Sequence, residues 1–249
     1  MNKYELTEET KTLANGTVLH RIRALRDFIP AFNHSVCAGD LGGWVEKENN
    51  LSQTGTAWVF KNAMVYENAW VCDNAIVGGN AQIYGMARVC GGAWIKENAK
   101  VYGNARVYGD ALVCNTAEVY ENANVCEYAK VFGDARIYGN AFVFGKAIVC
   151  SFAEVCGNTD VGGNADICGN AQIKGSHDYA VFKNTWSSGR FFTYTRSNKM
   201  WNVGCFHGTG EELIAKAYND SKLSGQCYET IVRAQEAIDM LVKEAPATI

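Results

Sequence analysis

Ten cysteines and four histidines are the side chains of this 249-residue sequence best suited to act as nucleophiles, bases or soft metal ligands. Cys205 and His207 are two residues apart, and alternate residues of a strand share one face. A thiol nucleophile needs such a neighbouring base, and it also needs a third group that orients the base. The sequence offers no identifiable third group. We therefore predict no catalytic residue, no metal site and no cofactor, and retain His207 as a candidate ligand contact.

The segment 176–210 combines basic and aromatic side chains. Its four cations stand against a single acid, Asp178. Arginine beside stackable rings suits a flat anionic ligand such as a nucleotide. The residues predicted to contact such a ligand are Arg190, Tyr194, Arg196, Lys199, Trp201 and His207. The alternative is that alternating aromatic residues on these strands simply form the core of a sheet.

A six-residue repeat occupies the middle of the chain. Val or Ile recurs at every sixth position from Val59 to Ile167, which makes 19 hexads without an insertion. The fifth position is Ala in 18 of them, with Thr159 as the exception. The third position is Gly in 11 hexads and the fourth is Asn or Asp in 13. A period of six does not match the 3.6-residue helix, and frequent Gly and β-branched residues also disfavour a helix.

Each hexad is instead predicted to be a short strand followed by a turn. Ala and the next aliphatic residue are two apart, so they point to the same side. Gly and Asn tolerate the positive φ of a tight corner. Small Ala at the corners and larger Val on the flats would fill a narrow triangular interior. The repeat therefore predicts a parallel β-solenoid.

The hexads resemble those of hexapeptide-repeat proteins, which are left-handed parallel β-helices with three hexads per coil. This resemblance implies a mainly β fold with about six to seven coils over residues 53–175. The same group includes acyltransferases and zinc carbonic anhydrases, both of which need histidine. The four histidines, at positions 20, 34, 177 and 207, lie outside the repeat. The solenoid is therefore predicted to be non-catalytic. An enzyme acting on a nucleotide or acyl substrate through the C-terminal module is the alternative.

An 18-residue coil sorts the outward residues into ladders. Exposed aromatic or apolar ladders mark protein-binding surfaces. The predicted oligomer or partner surface comprises Tyr84, Tyr102 and Tyr120 on one face, and Trp94, Leu112 and Ile148 on another. The alternative for the tyrosines is that stacked rings merely stabilise neighbouring coils. The apolar strip favours a homo-oligomer, either a trimer or a dimer, or coverage by the terminal segments.

Seven of the ten cysteines fall at one outward position of the hexad, which stacks Cys72 on Cys90 and Cys150 on Cys168. Two thiols do not complete a structural zinc site. Neighbouring coils about 4.8 Å apart bring the Cα atoms within disulfide range, but parallel Cβ vectors fit that bond poorly. Small apolar packing is therefore the favoured interpretation.

Both ends depart from the repeat. Residues 1–52 are predicted to form a β cap, with a hairpin of segments 3–7 and 17–25, that covers the edge of the first coil. Residues 176–249 are predicted to form an α+β module of three strands and two amphipathic helices. The predicted strands are 179–186, 190–196 and 200–206, and the predicted helices are 211–219 and 226–243.

The ends also resemble a family of hexapeptide-repeat proteins encoded by bacteriophages and prophages. The residues that carry this resemblance are Leu19–Leu25, Gly39–Glu46 and Gly204–Thr209. It implies a phage context, in which small non-structural proteins often bind host factors or neutralise host defence. We therefore expect a non-enzymatic cytoplasmic protein whose module binds a host protein or a small anionic signal. A purely structural assembly protein is a further alternative.

Composition narrows the class of protein. With 48% apolar and 20% charged residues, the chain can bury a core. A net charge of −3 gives no general attraction to nucleic acid or anionic membranes. No apolar run is long enough to span a bilayer, and the charged N-terminus differs from that of a secretory signal peptide. Membranes and nucleic acids are therefore not expected partners.

Overall fold

The computed structural model describes residues 2–30 and 35–244. It begins with three strands, β1 (Tyr4–Thr12), β2 (Val18–Ala24) and β3 (Leu41–Val45). β1 and β2 pair antiparallel, which confirms the predicted N-terminal hairpin. β3 pairs antiparallel with β2 and parallel with a strand of the first coil. The hairpin therefore extends one solenoid sheet by two antiparallel strands.

The solenoid consists of twenty two-residue strands, each made of an inward aliphatic residue and the outward residue before it. Paired strands are one coil apart; Trp94, for example, lies in parallel register between Ile76 and Leu112. Three strands per coil give about seven coils. The strands, β4 to β23 in chain order, are Trp58–Val59, Met64–Val65, Trp70–Val71, Ile76–Val77, Gln82–Ile83, Arg88–Val89, Trp94–Ile95, Lys100–Val101, Arg106–Val107, Leu112–Val113, Glu118–Val119, Asn124–Val125, Lys130–Val131, Arg136–Ile137, Phe142–Val143, Ile148–Val149, Glu154–Val155, Asp160–Val161, Asp166–Ile167 and Gln172–Ile173.

Three sheets form the walls of the solenoid and enclose its core. One has ten strands, including β1 to β3, and the others have seven and six. The inward aliphatic and alanine side chains, such as Val107 and Ala105, have no exposed surface. Thr159 is buried in the same row, and its hydroxyl donates to the carbonyl of Cys156 at 2.8 Å. The predicted mainly β, parallel solenoid is confirmed.

Every hexad turns at its third residue, which has a positive φ in all 19 repeats. Eleven of these residues are Gly, such as Gly103 at φ +68°. An L-residue other than Gly is strained in this region by roughly 1–2 kcal/mol. The eight positions that nevertheless carry a side chain are Lys61, Glu67, Asp73, Glu97, Asn115, Glu121, Glu127 and Ser151.

A hydrogen bond between coils offsets this strain at six of the eight positions. The carboxylate of Glu121 accepts the backbone N–H of Gly139, one coil further on, at 2.8 Å. Glu127 accepts the N–H of Gly145 in the same way at 2.9 Å. At these six corners a carboxylate or, at Asn115, an amide oxygen therefore compensates for the loss of Gly by accepting a backbone N–H of the next coil.

The N-terminal segment covers the open end of the solenoid. Lys3 is fully buried, and its Nζ donates to the carbonyl of Ala57 at 2.8 Å. Burial lowers the pKa of Lys3 to about 8. The rings of Tyr4 and Phe28 pack edge-on against Trp58. These contacts shield the first coil from pairing with another chain.

The C-terminal module is a four-stranded antiparallel sheet with two helices. The prediction of three strands is wrong because Gly204, at φ +59°, turns the chain and divides the segment 200–206. The strands are β24 (Tyr179–Lys183), β25 (Phe191–Thr195), β26 (Met200–Val203) and β27 (Phe206–Gly208). The helices are α1 (Gly210–Asp220) and α2 (Lys222–Glu244), and 3₁₀ turns lie at Glu48–Asn50 and Ser176–Asp178.

The second helix begins earlier than the sequence predicts. Gly225, which favours a break, lies inside α2, where a Cβ would collide with the ring of Tyr218. The glycine therefore permits close packing of α1 on α2. In the described part of the chain, neither helix is apolar over the length that a membrane crossing needs.

Replacement of Glu121 tests the role of the corner residues. Glu121→Ala removes the bond to Gly139 and keeps the strained φ, so we expect a loss of about 1–2 kcal/mol in the free energy of unfolding. Glu121→Gly removes the same bond but relieves the strain, so its loss should be smaller. Denaturant unfolding followed by circular dichroism measures both, with exposed Glu8→Ala as the control. Equal losses in the two variants would contradict the explanation.

Candidate ligand-binding clefts of the C-terminal module

Hydrogen bonds fix the module to the last coil. The backbone N–H of Asp166 donates to Thr193 Oγ1 at 2.9 Å, and Asn202 Nδ2 donates to the carbonyl of Asp166 at 2.7 Å. The N–H of Gln172 donates to Ser197 Oγ at 2.7 Å. Thr193 and Asn202 are paired residues of β25 and β26. Two neighbouring strands therefore hold the sheet in one orientation on the solenoid.

Aromatic residues of the segment 176–210 form the core of the module. Phe192 and Trp201 are 1% and 2% exposed, and their ring centroids are 5.9 Å apart. Tyr228 of α2 packs on Phe192 at 5.1 Å. The sheet-core interpretation is therefore confirmed for these rings. Trp201, predicted to contact a ligand, has almost no surface left to offer one.

Three other predicted ligand contacts lie together. Tyr194, Arg196 and Lys199 line a cleft of about 270 Å³ between the sheet and α2, which we call the Asp239 cleft. Its remaining lining includes Glu236 and Asp239. The cleft therefore carries two basic and two acidic side chains, a balance that gives it no net attraction for an anion.

Asp239 is the centre of a hydrogen-bond network in this cleft. Its carboxylate accepts from the Tyr194 hydroxyl, from Arg196 Nε at 3.1 Å and from Gln235 Nε2 at 2.9 Å. Burial opposes the charged form, but the three hydrogen bonds outweigh it and hold the pKa of Asp239 below its ordinary value. Arg196 is therefore committed to the fold of the module.

Arg190 lines a different cleft, of about 250 Å³, which we call the Arg190 cleft. The loop between β24 and β25 forms one wall, and buried Asn184 sets its shape. The side-chain oxygen Oδ1 of Asn184 accepts the backbone N–H groups of Trp186 and Ser187 at 3.2 and 2.9 Å. The backbone N–H of Asn184 donates to the carbonyl of Arg190 at 2.8 Å. The other walls come from β26, β27 and both helices.

The Arg190 cleft has an excess of positive charge. Arg190 and Lys216 line it together with one acid, Asp220. Within residues 2–30 and 35–244, neither cation takes part in a salt bridge. Arg190 lies close to Gly204, where a Cβ would be 3.6 Å from the guanidinium Nη1. Because that distance is an ordinary van der Waals contact, Gly204 is needed for its φ of +59° and not to make room for the arginine head group.

Hydroxyl and apolar groups complete the Arg190 cleft. The hydroxyls belong to Ser187, Ser188 and Ser224, and the apolar side chains are Val203, Phe206 and Leu213. Cations and hydroxyls suit a phosphate or carboxylate, and the apolar wall suits a ring. The described lining holds neither histidine nor cysteine.

His207 lies outside both clefts, at the junction with the last coil. Its Nδ1 forms a hydrogen bond with Asn202 Oδ1, and its ring covers Gly169. Burial raises the pKa of Asp166, and the nearby His207 opposes that shift. The six predicted contacts thus fall in four places, and ligand binding by each stays a prediction.

Sequence reasoning misses two residues that shape the clefts, Lys216 and Asp239. Both lie on polar positions of helices, where charged side chains normally face solvent. One signal points to Asp239. Gln235 is the polar residue within the apolar stripe of α2, and it binds Asp239 one turn further on. No comparable sequence signal marks Lys216.

The predicted tyrosine surface is a stack of rings. Tyr84, Tyr102 and Tyr120 lie in a row from Tyr66 to Tyr138, with neighbouring centroids 4.8–5.1 Å apart and ring planes within 7° of parallel. The ring faces contact each other, so the edges point outwards. This geometry supports stabilisation of neighbouring coils. Partner binding by the tyrosines stays a prediction.

The predicted apolar strip follows the seven-stranded sheet. Trp94, Leu112 and Ile148 are half-buried and occupy the same register position in their strands. At one end of this sheet Trp58 is covered by the N-terminal segment, and at the other end Asp166 is bonded to the module. The strip therefore lies between two covered ends.

Four of the stacked cysteines are cross-linked. Disulfide bonds join Cys72 to Cys90 and Cys150 to Cys168, with Cα atoms 4.8 Å apart in both pairs. The interpretation as unlinked packing is wrong for these residues, because rotation about Cα–Cβ brings the sulfur atoms together despite parallel strands. The three other cysteines at this hexad position, Cys114, Cys126 and Cys156, are free thiols, and burial raises the pKa of Cys114 and Cys126.

Comparison with known proteins agrees with the repeat. The family model described as "YdcK Beta solenoid repeat" matches residues 99–115 and 135–151. The chain is a β-solenoid repeat protein. The chain is also 36% identical, over 67 residues, to "Uncharacterized acetyltransferase YdcK" of Escherichia coli (strain K12). That match covers 24% of this chain and 19% of the relative, so the chain spans about a fifth of that protein's length.

Removal of the Asp239 charge should destabilise the module. In Asp239→Asn we expect the module to lose on the order of 2 kcal/mol at pH 7, because Tyr194 and Arg196 lose a charged partner. The folded pKa of Asp239 is lowered, so its contribution is complete above the unfolded value of about 4 and disappears as pH falls through the folded value. The variant and the parent should therefore converge in acid.

Helical circular dichroism is the measurement, because both α-helices of the described chain belong to the module. Asp220→Asn, at the exposed end of α1, is the control and should change stability by less than about 0.5 kcal/mol. An equal effect of both substitutions at pH 7 would contradict the role of the network.

Proposed function

We propose that this chain is a non-enzymatic binding protein. The solenoid is its scaffold and self-association surface, and the module binds a small anionic, nucleotide-like ligand in the Arg190 cleft. The observation that carries the proposal is the pair of cations, Arg190 and Lys216, that are free of salt bridges within the described chain and stand beside hydroxyls and an apolar wall. A phosphate would lie between the cations and a base against the wall.

The resemblance of both ends to phage-encoded hexapeptide-repeat proteins supports a role in the cytoplasm of an infected host. There the module would sequester a defence signal. The same resemblance supports left-handed winding of the coils. The name of the Escherichia coli relative points to acetyl transfer instead, but the match covers 19% of that protein. The repeat also lacks the histidine that hexapeptide acyltransferases use as a base.

Charge removal in the Arg190 cleft tests ligand binding. Purified protein is titrated calorimetrically with nucleoside mono-, di- and triphosphates and with cyclic mono- and dinucleotides. For a nucleotide that binds, Arg190→Gln and Lys216→Gln should each weaken the affinity about tenfold, since each removes a charge-assisted hydrogen bond. Lys199→Gln, which changes the Asp239 cleft instead, should leave the affinity unchanged.

The fate of the ligand separates binding from catalysis. Bound nucleotide released by heat should be chemically intact; an altered product would contradict the non-enzymatic proposal. Absence of binding across the panel, or a loss confined to Lys199→Gln, would contradict the Arg190 cleft as the site.

Self-association is proposed through the apolar strip, with a second copy of the chain as the occupant. Trp94 and Leu112 lie on adjacent coils and Ile148 lies two coils beyond Leu112, with exposed Lys130 between them, so the same strip of another copy presents matching apolar groups beside one cation. Both ends of the sheet are already covered by segments of the chain itself. The stretch between these ends, which holds the half-buried Leu112 and Ile148, is the part that we propose for a partner.

Charges on the strip should dissociate the oligomer. Leu112→Glu with Ile148→Glu should convert the protein to a monomer, because carboxylates would be buried without partners. Light scattering coupled to size-exclusion chromatography measures the mass. Gln82→Glu, on the neighbouring polar face, is the control and should keep the parent mass. A monomeric parent protein would contradict this part of the proposal.

A further inference from the structure

Sulfur, carboxylate and imidazole groups meet at the junction of the solenoid and the module. Cys150 and Cys168 are stacked on adjacent coils of the seven-stranded sheet. Together with Asp166 they offer three ligand atoms that lie within 4.8 Å of one another. Cys150 is buried, and the other two side chains are half-buried. Three donors of the kind that bind transition metals are therefore assembled by the coil register alone.

The contact between Cys168 and Asp166 is unexplained when the cysteines are cross-linked. Cys168 Sγ lies 3.0 Å from Asp166 Oδ1. A disulfide sulfur carries no hydrogen, so it cannot donate to the carboxylate. In the reduced protein the Cys168 thiol can donate to this carboxylate. When both thiols lose their protons, three negative groups lie together and require a cation among them, so the deprotonated cluster has the electrostatics of a cation site.

His207 faces this cluster from the module. Asn202 Nδ2 donates to the carbonyl of Asp166, which directs Asn202 Oδ1 to His207 Nδ1. Nδ1 therefore carries the proton, and the lone pair is on Nε2. Nε2 is the ring atom nearest to Gly169, where a Cβ would be 3.0 Å away. His207 interacts electrostatically with Asp166, so its ring lies near the cluster, but its nitrogens lie outside the set of ligand atoms within 4.8 Å of one another. A rotation of the ring would therefore have to bring Nε2 to the ion, and Asn202 is placed to orient the ring as the outer partner of a metal-bound histidine does.

We propose that the reduced chain binds a zinc ion through Cys150, Cys168 and Asp166, with His207 of the module as the fourth ligand. Two thiolates, one carboxylate and one imidazole are ligands that Zn²⁺ accepts in tetrahedral sites, whereas Ca²⁺ and Mg²⁺ prefer oxygen. The ion would join two coils to β27. Zinc occupancy and the disulfide exclude each other, so the junction is either cross-linked or metal-bound.

The Cys150–Cys168 disulfide must be reduced by two electrons before zinc can bind. An added phosphine reductant supplies two electrons to the disulfide and becomes its oxide by taking oxygen from water, whose two protons go to the sulfurs. Each thiol then loses its proton when the ion binds, so zinc binding releases two protons.

A second stacked pair provides an internal comparison. Cys72, Asp73 and Cys90 also bring three ligand atoms within 4.8 Å. However, Asp73 is exposed and its Oδ2 already accepts the N–H of Gly91 at 3.0 Å. This cluster lies on the six-stranded sheet, away from the module and His207. We therefore expect one strong zinc site per chain.

Cobalt substitution tests the proposal. The protein is reduced with a phosphine, desalted without oxygen and titrated with Co²⁺, whose sulfur-to-metal charge-transfer and tetrahedral d–d bands report thiolate ligation. One equivalent should bind per chain, and zinc should displace it. Cys168→Ser should abolish the charge-transfer band, and Cys90→Ser, the matched control, should keep it. His207→Gln should weaken zinc binding roughly tenfold or more.

The Cys168→Ser and Cys90→Ser variants show which of the two cysteine pairs binds the metal. Bands that persist in Cys168→Ser but vanish in Cys90→Ser would place the metal at the other pair and overturn it. So would the absence of bands in the reduced parent protein. If circular dichroism shows that Cys168→Ser is unfolded, Asp166→Asn takes its place, and its folded form should bind cobalt more weakly than the parent; unchanged affinity would overturn the proposal.

Discussion

Backbone pairing between coils at a fixed step of one coil is the constraint on which the rest of the structure depends. The pairing requires every hexad to turn at the same residue, and that residue has a positive φ in all 19 repeats. Once the step is fixed, side chains one coil apart must stack in register. The tyrosine row, the corner carboxylates and the cysteine pairs are all results of that register. A single inserted residue would shift the register and disrupt the tyrosine row, the corner hydrogen bonds and the cysteine pairs at the same time.

Much of the fold follows from the sequence because the repeat carries its own geometry. The Val-to-Ala spacing identifies the inward side chains, and the Gly positions identify the corners. The details that fail are those decided by contacts distant in sequence. Gly204 acts as a turn and Gly225 as a point of close helix packing, although both are glycines in polar surroundings. The cross-linked cysteines depend on side-chain rotation, which a register argument leaves out.

The candidate site is less predictable, since basic residues look alike in a sequence. Arg190 and Arg196 are six residues apart, and the sequence predicts both as contacts of an anion. In the fold, Arg196 is bonded to Asp239 from α2, whereas Arg190 stands beside Lys216 from α1. Pairing with a distant helix thus decides which cation is free for a ligand. Trp201 shows the same limit, because a ring in the core and a ring in a binding site have the same local sequence pattern.

The solenoid also fixes how far apart its two different ends can lie. Each coil adds the same increment, 4.8 Å between the Cα atoms of stacked residues. Gain or loss of one coil would therefore move the module relative to the N-terminal cap by one such increment while leaving both ends intact. The distance between the N-terminal cap and the module can therefore change only in steps of one coil. Duplication or deletion of whole coils during evolution would change that distance without altering either end.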